Sequence, residues 1–186
     1  MYLPSDDTFL LADCIKHYKG NWALEIGVGS GFLLGILEKN FAHVAGSDID
    51  FEALRHSKQK ISSKALLVCC DAAEAFGANT ELLLFDLVVS NPPYLPNPNK
   101  FDHASIWDKT IHGGPTGIET TLHFIDSALP LLARDGMMLF VISSLAQNEY
   151  LSNLEDVVEK KKIQMSVLKE KRLFYETLSI IELSAS

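Results

Sequence analysis

Short apolar runs alternate along this chain with stretches of helical periodicity. This alternation is typical of a parallel sheet covered by helices, because a helix supplies the crossover between parallel strands. Strands are predicted at residues 22–26, 43–47, 65–70, 86–90 and 137–143, and helices at 6–18, 32–39, 51–60, 117–133 and 147–160. The first helix has Asp6 or Asp7 as its expected cap. The pattern predicts an α/β fold.

The end of the chain departs from a purely parallel arrangement. Strands are predicted at residues 163–169 and 177–183, with only a turn between them. Such a pair indicates an antiparallel hairpin at one edge of the sheet. The chain has 186 residues, and this length favours one domain, expected to span residues 1–186.

Composition argues against several classes of protein. No apolar stretch approaches the roughly 20 residues of a membrane span, and residues 1–7 lack the basic start and apolar core of a signal peptide. We therefore expect a cytoplasmic protein without a membrane partner. The cysteines, Cys14, Cys69 and Cys70, have neither disulfide-framework nor zinc-site spacing. Cys69 and Cys70 are expected to be small core residues.

The segment Asn91-Pro92-Pro93-Tyr94, called the tetrapeptide below, directly follows a predicted strand. The Asn91 side-chain carbonyl and the Pro92 backbone carbonyl can together accept both N–H bonds of a planar NH₂ group. The prolines fix φ, which would hold these acceptors in place, and the Tyr94 ring can stack on the plane of the group. The alternative interpretation is a proline turn that ends the strand.

A glycine turn, Gly27-Val28-Gly29-Ser30-Gly31, lies between the first strand and the next helix. Glycines let the backbone turn sharply and approach a ligand closely. Their spacing is not the one that cradles a pyrophosphate. The acidic Glu25 just before them would also repel a phosphate, and it suits a ligand with a cationic end.

Carboxylates also follow the next two strands. Asp48 ends the second strand, where a carboxylate can accept both hydroxyl hydrogen bonds of a ribose. Asp50 is the competing choice, but we expect it to cap the next helix. Asp71 ends the third strand and can either accept from an adenine amino group or cap the turn that follows. With Glu25 and the glycine turn, these residues predict an adenosine-containing ligand at the carboxyl edge of the sheet.

Residues 95–117 are too long and polar for a simple connection between elements. Long loops in compact domains are usually lids or binding loops, and this one follows the tetrapeptide directly. We interpret it as a substrate lid. Its histidines, His103 and His112, are expected to be solvated loop residues rather than bases.

Together these motifs resemble the class I S-adenosylmethionine-dependent methyltransferases. The chain is more narrowly similar to the short HemK-type glutamine N5-methyltransferases, which lack the N-terminal helical domain of the bacterial long forms. Residues 2–11, which read YLPSDDTFLL, the Gly-Gly-x-x-Gly segment at residues 113–117 and Glu176-Thr177-Leu178 carry this narrower match. One departure is Thr116, where several relatives have an acidic residue.

The resemblance implies a Rossmann-like fold, with a mostly parallel seven-stranded sheet, a C-terminal antiparallel hairpin and helices on both faces. It implies S-adenosylmethionine as cofactor, a class I peptide chain release factor as substrate, and a possible small zinc-binding activator as partner. No metal is required for the reaction. Cofactor-binding residues carried over by position are Thr8, Glu25, Gly27, Gly29, Asp48, Asp71, the Ala72 backbone and Asn91. The implied catalytic residues are Asn91, Pro92 and Tyr94, and the implied substrate-binding residues are Asn91, Pro93 and Tyr94.

Other functions compete with this interpretation. A nucleic-acid methyltransferase acting on adenine N6 or guanine N2 uses the same tetrapeptide, because an exocyclic amine presents the same planar NH₂. The net charge of −8 and the pI near 5.2 disfavour it, since grip on a nucleic-acid backbone comes from Lys and Arg. An inactive scaffold with this fold and a nicotinamide oxidoreductase are further alternatives. The retained Asn91 disfavours the scaffold, and the glycine spacing disfavours the oxidoreductase.

Overall fold

The structure is a computed structural model that describes residues 2–62, 64–77, 84–97, 110–146 and 150–185. The strands are β1 Gly20–Ile26, β2 Phe41–Asp48, β3 Leu66–Cys69, β4 Phe85–Ser90, β5 Leu95–Pro96, β6 His112–Gly114, β7 Leu132–Ser143, β8 Ile163–Arg172 and β9 Thr177–Ala185. The helices are α1 Asp6–Ile15, α2 Phe32–Leu37, α3 Phe51–Ser57, α4 Glu74–Gly77, α5 Glu119–Ala128 and α6 Tyr150–Lys161, with a 3₁₀ turn at Leu129–Leu131.

Seven of these strands form one sheet in the order β3-β2-β1-β4-β7-β9-β8. The pairs from β3 to β7 are parallel, and β9 runs antiparallel to both β7 and β8. The prediction of a mostly parallel sheet with an antiparallel hairpin at one edge is confirmed. Each predicted strand is present, and the largest difference in bounds lies at the start of β7.

The fifth helix ends earlier than the sequence predicts. The prediction ran to residue 133, whereas α5 ends at Ala128 and the chain continues as a 3₁₀ turn into β7. Pro130 explains the difference, because it has no N–H to donate and its ring clashes with the preceding helical turn.

Both faces of the central strands of the sheet are buried. In β4, Leu87 and Val89 belong to one core cluster, whereas Val88 between them belongs to the other. Helices α1, α2 and α3 contribute to the first cluster, and α4, α5 and α6 contribute to the second. Because strand side chains alternate between faces, apolar runs without polar alternation are what this arrangement requires.

The order of the strands determines where a ligand can enter. From β1 the chain proceeds through β2 to β3 on one side, and β4 then begins the other side of the sheet. In such open α/β sheets ligands bind outside the carboxyl ends of the strands at this switch point. Residues following β1, β2 and β4 are therefore brought to one crevice.

Two local expectations are wrong. The N-cap of α1 is Ser5, and the predicted caps Asp6 and Asp7 lie inside the first helical turn. Cys69 is exposed and Cys70 only half-buried, rather than core residues. The reason is the position of β3 at the edge of the sheet, where a strand lacks a neighbour on one side.

The predicted lid is described only at its ends, since residues 98–109, including His103, lie outside the described residues. Strands β5 and β6 pair in parallel and hold these two ends together. His112 lies in β6 and its Nδ1 is buried, so the expectation of a solvated loop histidine is wrong for it. Among the described residues, no helix is long and apolar enough to cross a membrane.

Candidate functional site

A cavity of about 600 Å³ opens at the carboxyl edge of the sheet. This volume lies within the range of small-molecule sites, about 300–1,000 Å³. The cavity is lined by every residue that the sequence singles out for the site: Thr8, Glu25, Gly27, Gly29, Asp48, Asp71, Ala72, Asn91, Pro92, Pro93 and Tyr94. The fold therefore brings together residues spread over most of the chain, and their individual roles stay predictions.

The glycine turn exposes backbone to this cavity. Gly27 has φ +79° and Gly29 has φ +48°, values that side-chain-bearing residues rarely adopt. The Gly27 N–H donates to the Ser47 carbonyl at 2.8 Å, which ties the turn to β2. A Cβ built on Gly27 would meet no described atom within 4 Å, so space remains beside this backbone for a ligand.

Glu25 is a buried carboxyl with 2% of its surface exposed. The Leu34 N–H at the start of α2 hydrogen-bonds it, but Oε2 has no partner among the described residues. Burial raises the pKa of Glu25 well above its ordinary value, and the nearby charge of Asp48 adds to this effect. A carboxylate in such a place is costly unless a cation or a donor joins it. Glu25 is therefore suited to a cationic ligand group.

Asp48 and Asp50 have separate roles. Asp48 accepts the Gly29 N–H through Oδ2 and the Asp50 N–H through Oδ1, each at 2.8 Å. Asp50 caps α3 by accepting the Glu52 N–H at 2.9 Å, as the sequence predicts. Burial raises the pKa of Asp48. Each carboxylate oxygen of Asp48 keeps further lone-pair capacity, so the carboxylate can shape the glycine turn and still accept from a ligand.

Asp71 lies on the exposed side of the cavity. Its Oδ1 lies 3.0 Å from His123 Nε2 of α5. The turn that follows is closed by the Asp71 backbone carbonyl, which accepts the Glu74 N–H at 3.1 Å. Ala72 has φ +44° and is buried beside the cavity. The side chain of Asp71 therefore pairs across to α5 rather than capping the turn.

Asn91 directly follows the carboxyl end of β4. Its Nδ2 donates to Thr8 Oγ1 at 3.1 Å. Its Oδ1 is buried and has no partner among the described residues. A buried acceptor without a donor costs about 1–3 kcal/mol. Asn91 thus presents an acceptor that a ligand N–H can satisfy.

The glycines at residues 113–117 support the backbone of the tetrapeptide. A Cβ on Gly113 would lie 2.4 Å from the Pro93 carbonyl oxygen, and one on Gly117 would lie 2.3 Å from the Tyr94 carbonyl oxygen. Only glycine allows this approach. Glu119 organises the same segment by accepting the N–H groups of Thr116 and Gly117, each at 3.1 Å. The segment is a rigid backing for the tetrapeptide.

Replacing Gly113 with alanine is expected to displace the tetrapeptide, because the added Cβ meets backbone atoms on both sides. Overpacking of this kind costs about 1–3 kcal/mol of folding free energy, and a small misplacement of reacting groups can cost about 10²-fold in turnover. Thermal melting and turnover measure the two effects. Gly35→Ala is the matched control, because a Cβ there meets no described atom within 4 Å and alanine in a helix gains about 0.5–1 kcal/mol. Turnover of Gly113→Ala within twofold of the unaltered protein would contradict this role.

Sequence reasoning missed Asp7 as a site residue. It is buried, with 2% of its surface exposed, and it accepts from Thr8 Oγ1 at 3.0 Å and from Tyr94 OH at 3.1 Å. An aspartate in the first turn of a helix is ordinarily a solvated residue favoured by the helix dipole. Its neighbours in the sequence gave no signal of these contacts with the tetrapeptide.

A family model supports a methyl-transfer chemistry for this site. The model of the Eco57I restriction-modification methylase family matches residues 30–174. These residues include the carboxylates after β2 and β3, the tetrapeptide and the glycines that support it.

Relatives and solved structures are also similar to this chain. A putative protein N5-glutamine methyltransferase of Methanocaldococcus jannaschii is 27% identical over 165 residues, which are 88% of this chain and 83% of that protein. A release factor glutamine methyltransferase of Caulobacter vibrioides is 39% identical in an alignment of 152 residues that covers 72% of this chain, and the chain spans only 50% of that protein. The Mtq2–Trm112 complex of E. cuniculi, responsible for methylation of the eRF1 translation termination factor, superimposes with a TM-score of 0.76 at 24% identity. That match covers 100% of this chain and 98% of the other.

Proposed function

Since the chain belongs to the Eco57I restriction-modification methylase family and is a HemK-type class I methyltransferase, we propose that it methylates a planar amide nitrogen. It is an N-methyltransferase and its methyl donor is S-adenosylmethionine. The substrate that we propose is the glutamine in the Gly-Gly-Gln motif of a class I peptide chain release factor. Residues 1–186 act as one catalytic domain in this proposal. A cytoplasmic location belongs to it as well, because release factors work on ribosomes there.

One observation supports a planar NH₂ group as the methyl acceptor. Asn91 Oδ1 is a buried acceptor at the cavity without a partner among the described residues. A glutamine side-chain NH₂ has two N–H donors, and Asn91 Oδ1 together with the Pro92 carbonyl would accept them. Since proline fixes φ, little rearrangement is needed when the substrate arrives.

The residues of the cavity fit the methyl donor. Glu25 has a free Oε2 for a cationic group, and Asp48 keeps lone pairs for ribose hydroxyls. Asp71 and the Ala72 backbone line the outer part of the same cavity, where we place the adenine, and Thr8 lines it on the side of Asn91. When bound, the donor supplies an electrophilic methyl group whose sulfonium charge is lost on transfer.

The protein's part in the reaction is positioning. An amide nitrogen is a weak nucleophile because its lone pair is delocalised into the carbonyl. Asn91 Oδ1 and the Pro92 carbonyl accept the two N–H bonds of the amide and stabilise the positive charge that develops on its nitrogen during attack. The methylated nitrogen then releases one of these two protons to water. The Tyr94 ring, which lines the cavity, holds the amide plane by packing on it. The reaction needs no strong general base in this scheme.

Replacing Asp48 with alanine is expected to weaken S-adenosylmethionine binding by about 10- to 150-fold, since a hydrogen bond to a charged group is worth about 1.5–3 kcal/mol. The Gly29 anchor is lost in the same variant. Titration calorimetry measures the dissociation constant. Asp50→Ala is the matched control: it loses the α3 cap, at about 0.5–2 kcal/mol of stability, and should keep affinity within about threefold. If Asp48→Ala binds S-adenosylmethionine with unchanged affinity, Asp50 rather than Asp48 accepts the ribose hydroxyls.

A small zinc-binding activator is the partner that we propose. The related E. cuniculi protein was solved as a complex with Trm112. In this chain β3 is an edge strand, and Leu66 on it is 44% exposed. An uncovered apolar edge strand is a site where another chain can add. Increased solubility or turnover on adding such a zinc protein, lost in Leu66→Asp, tests this part of the proposal.

The second candidate function is methylation of an exocyclic amine of a nucleic-acid base, adenine N6 or guanine N2. The description of the matching family favours it, since it names a restriction-modification methylase. A base extruded from its stack could lie on Tyr94 and present the same NH₂ to Asn91. The net charge of −8 counts against it.

Transfer of labelled methyl groups decides between the two substrates. The purified protein, with and without the activator, is incubated with labelled S-adenosylmethionine and either a class I release factor, the same factor with its Gly-Gly-Gln glutamine replaced by alanine, transfer RNA or duplex DNA. We expect label on the first factor alone. Label on nucleic acid but not on the factor would establish the second candidate, and Asn91→Ala serves as the inactive enzyme control.

A further inference from the structure

Asp7 is a buried carboxyl group at the centre of a hydrogen-bond cluster that reaches Tyr94 of the tetrapeptide. Its carboxylate, 2% exposed, accepts from Tyr2 OH at 2.8 Å, Ser5 Oγ at 3.0 Å, Thr8 Oγ1 at 3.0 Å, Tyr94 OH at 3.1 Å and the Thr8 N–H. No lysine or arginine among the described residues forms an ion pair with it. A buried carboxylate persists only when such donors satisfy its oxygens.

The hydroxyl donors of this cluster keep their protons. Burial raises the pKa of Tyr2 to about 12. Burial, followed by the charge of Asp7, raises the pKa of Tyr94 as well. Both hydroxyls therefore donate throughout the physiological pH range, and Asp7 Oδ2 is their common acceptor.

The direction of the remaining bonds follows from the chemistry of each group. An ionised carboxylate can only accept hydrogen bonds, so the Thr8 hydroxyl must donate its single proton to Asp7 Oδ1. Thr8 Oγ1 can then act only as an acceptor towards Asn91, which lies 3.1 Å away. The NH₂ of the Asn91 amide must therefore face Thr8. Its carbonyl oxygen is left facing away from Thr8, and no described residue donates a hydrogen bond to it.

We propose that Asp7 is a positioning residue that fixes the orientation of the Asn91 amide through Thr8 and holds the Tyr94 ring through its hydroxyl. The inference rests on the proposed function, because Asn91 Oδ1 matters as the acceptor for a substrate N–H. If the Asn91 amide were rotated by half a turn, its NH₂ would face the NH₂ of the substrate. Two hydrogen-bond donors would then meet, and the substrate NH₂ would be repelled. The relay Asp7–Thr8–Asn91 excludes that orientation.

The first test separates the position of the Asn91 acceptor from the overall stability of the protein. Asp7→Ala is expected to lower kcat at least about tenfold, because misorientation of a reacting group costs this much or more, while the dissociation constant for S-adenosylmethionine stays within about threefold. Asp7→Asn should regain most of the lost kcat, because its side-chain oxygen can still accept from the Thr8 N–H and hydroxyl while its NH₂ faces the two tyrosine hydroxyls. Asp6→Asn is the matched control, since Asp6 lies on the same helical turn, is exposed and pairs with Lys171.

The second test asks whether Asp7 acts through Thr8. Thr8→Val removes the hydroxyl with little change of shape. Because Asp7→Ala already breaks both the link through Thr8 and the bond to Tyr94, Asp7→Ala combined with Thr8→Val should cost about as much in kcat as Asp7→Ala alone. A smaller than tenfold loss in Asp7→Ala, equal losses in Asp7→Asn and Asp7→Ala, or additive losses in the double variant would each overturn the relay.

A third measurement does not depend on turnover. NMR of the unliganded protein should show that one proton of the Asn91 side-chain NH₂ is protected from exchange with solvent. The two NH₂ signals are assigned by their loss in Asn91→Ala. Thr8→Val should remove that protection, and protection equal to that of the unaltered protein would overturn the relay. If the unaltered protein methylates no acceptor, the proposed function fails, whereas this exchange measurement still decides the role of Thr8 in orienting Asn91.

Discussion

Replacing Asn91 with alanine is expected to lower kcat for methyl transfer by about 10²- to 10³-fold, the cost of removing one group that stabilises developing charge. The Asn91 side chain supplies a buried acceptor of the cavity that has no partner among the described residues, and alanine supplies none. The dissociation constant for S-adenosylmethionine is expected to change by less than about threefold, because Glu25 and Asp48 remain in place. Single-turnover kinetics with the methyl acceptor and calorimetry with the cofactor separate these quantities.

Two further variants sharpen this result. Asn40→Ala is the matched control, because that asparagine bonds the Lys16 carbonyl and does not line the cavity. Asn91→Asp keeps side-chain oxygens but cannot donate to Thr8, whose proton is committed to Asp7. Its kcat should therefore also fall at least about tenfold. Near-normal turnover in Asn91→Ala would refute the assigned mechanism outright.

Replacing Glu25 with glutamine is expected to weaken S-adenosylmethionine binding by at least about 30-fold, since removing one partner of a buried charge pair costs about 2 kcal/mol or more. The same variant should melt at a higher temperature without ligand. Glu25 is buried with Oε2 unpartnered among the described residues, so its charge opposes folding until a cation arrives. Opposite changes in affinity and stability are the diagnostic result.

The pH dependence of this effect has a definite sign. Burial raises the pKa of Glu25 in the folded protein above its ordinary value of 4.5. The protonated form therefore stabilises the fold, and this contribution is full below 4.5 and is lost as pH rises through the raised pKa. Cofactor affinity shows the opposite trend, because the cation binds the carboxylate. It should rise with pH until Glu25 is ionised and then level off.

Glu25→Gln should remove the contribution of Glu25 to both trends, and melting and calorimetry from pH 5 to 8 measure them. Asp48 has a raised pKa too, so a residual dependence from it is expected in both proteins. Glu52→Gln is the control, because Glu52 is exposed and its pair with Arg55 contributes little. An identical slope of affinity with pH in Glu25→Gln and the unaltered protein would exclude Glu25 as the cation site.

Much of the fold could be predicted because each strand carries its own signal. The apolar runs that form β1, β2, β4 and β7 are buried on both faces. A continuous apolar run of this kind can be recognised as a strand from its own residues alone. The strand β3 was predicted as well, but its exposure was not. Its residues look like those of a central strand, but whether a neighbour covers them depends on the order of strands in the sheet.

The cavity could be predicted for a related reason. Glu25, Asp48 and the tetrapeptide each follow a strand directly, and parallel strands bring their carboxyl ends to one edge. The capping role of Asp50 was predictable too, because a cap bonds an N–H only two residues away. Local spacing was sufficient in these cases.

The sequence by itself determined the type of fold, the edge where the cavity opens and the chemical groups that line it. The tertiary structure alone decided which of those groups are already satisfied and which remain available. Asn91 meets Thr8 across 83 residues of chain, and Tyr94 meets Asp7 across 87. Hydrogen bonds between such distant residues leave no periodic pattern in the sequence. Because of them the Asn91 oxygen, rather than its NH₂, is the group without a hydrogen-bond partner among the described residues.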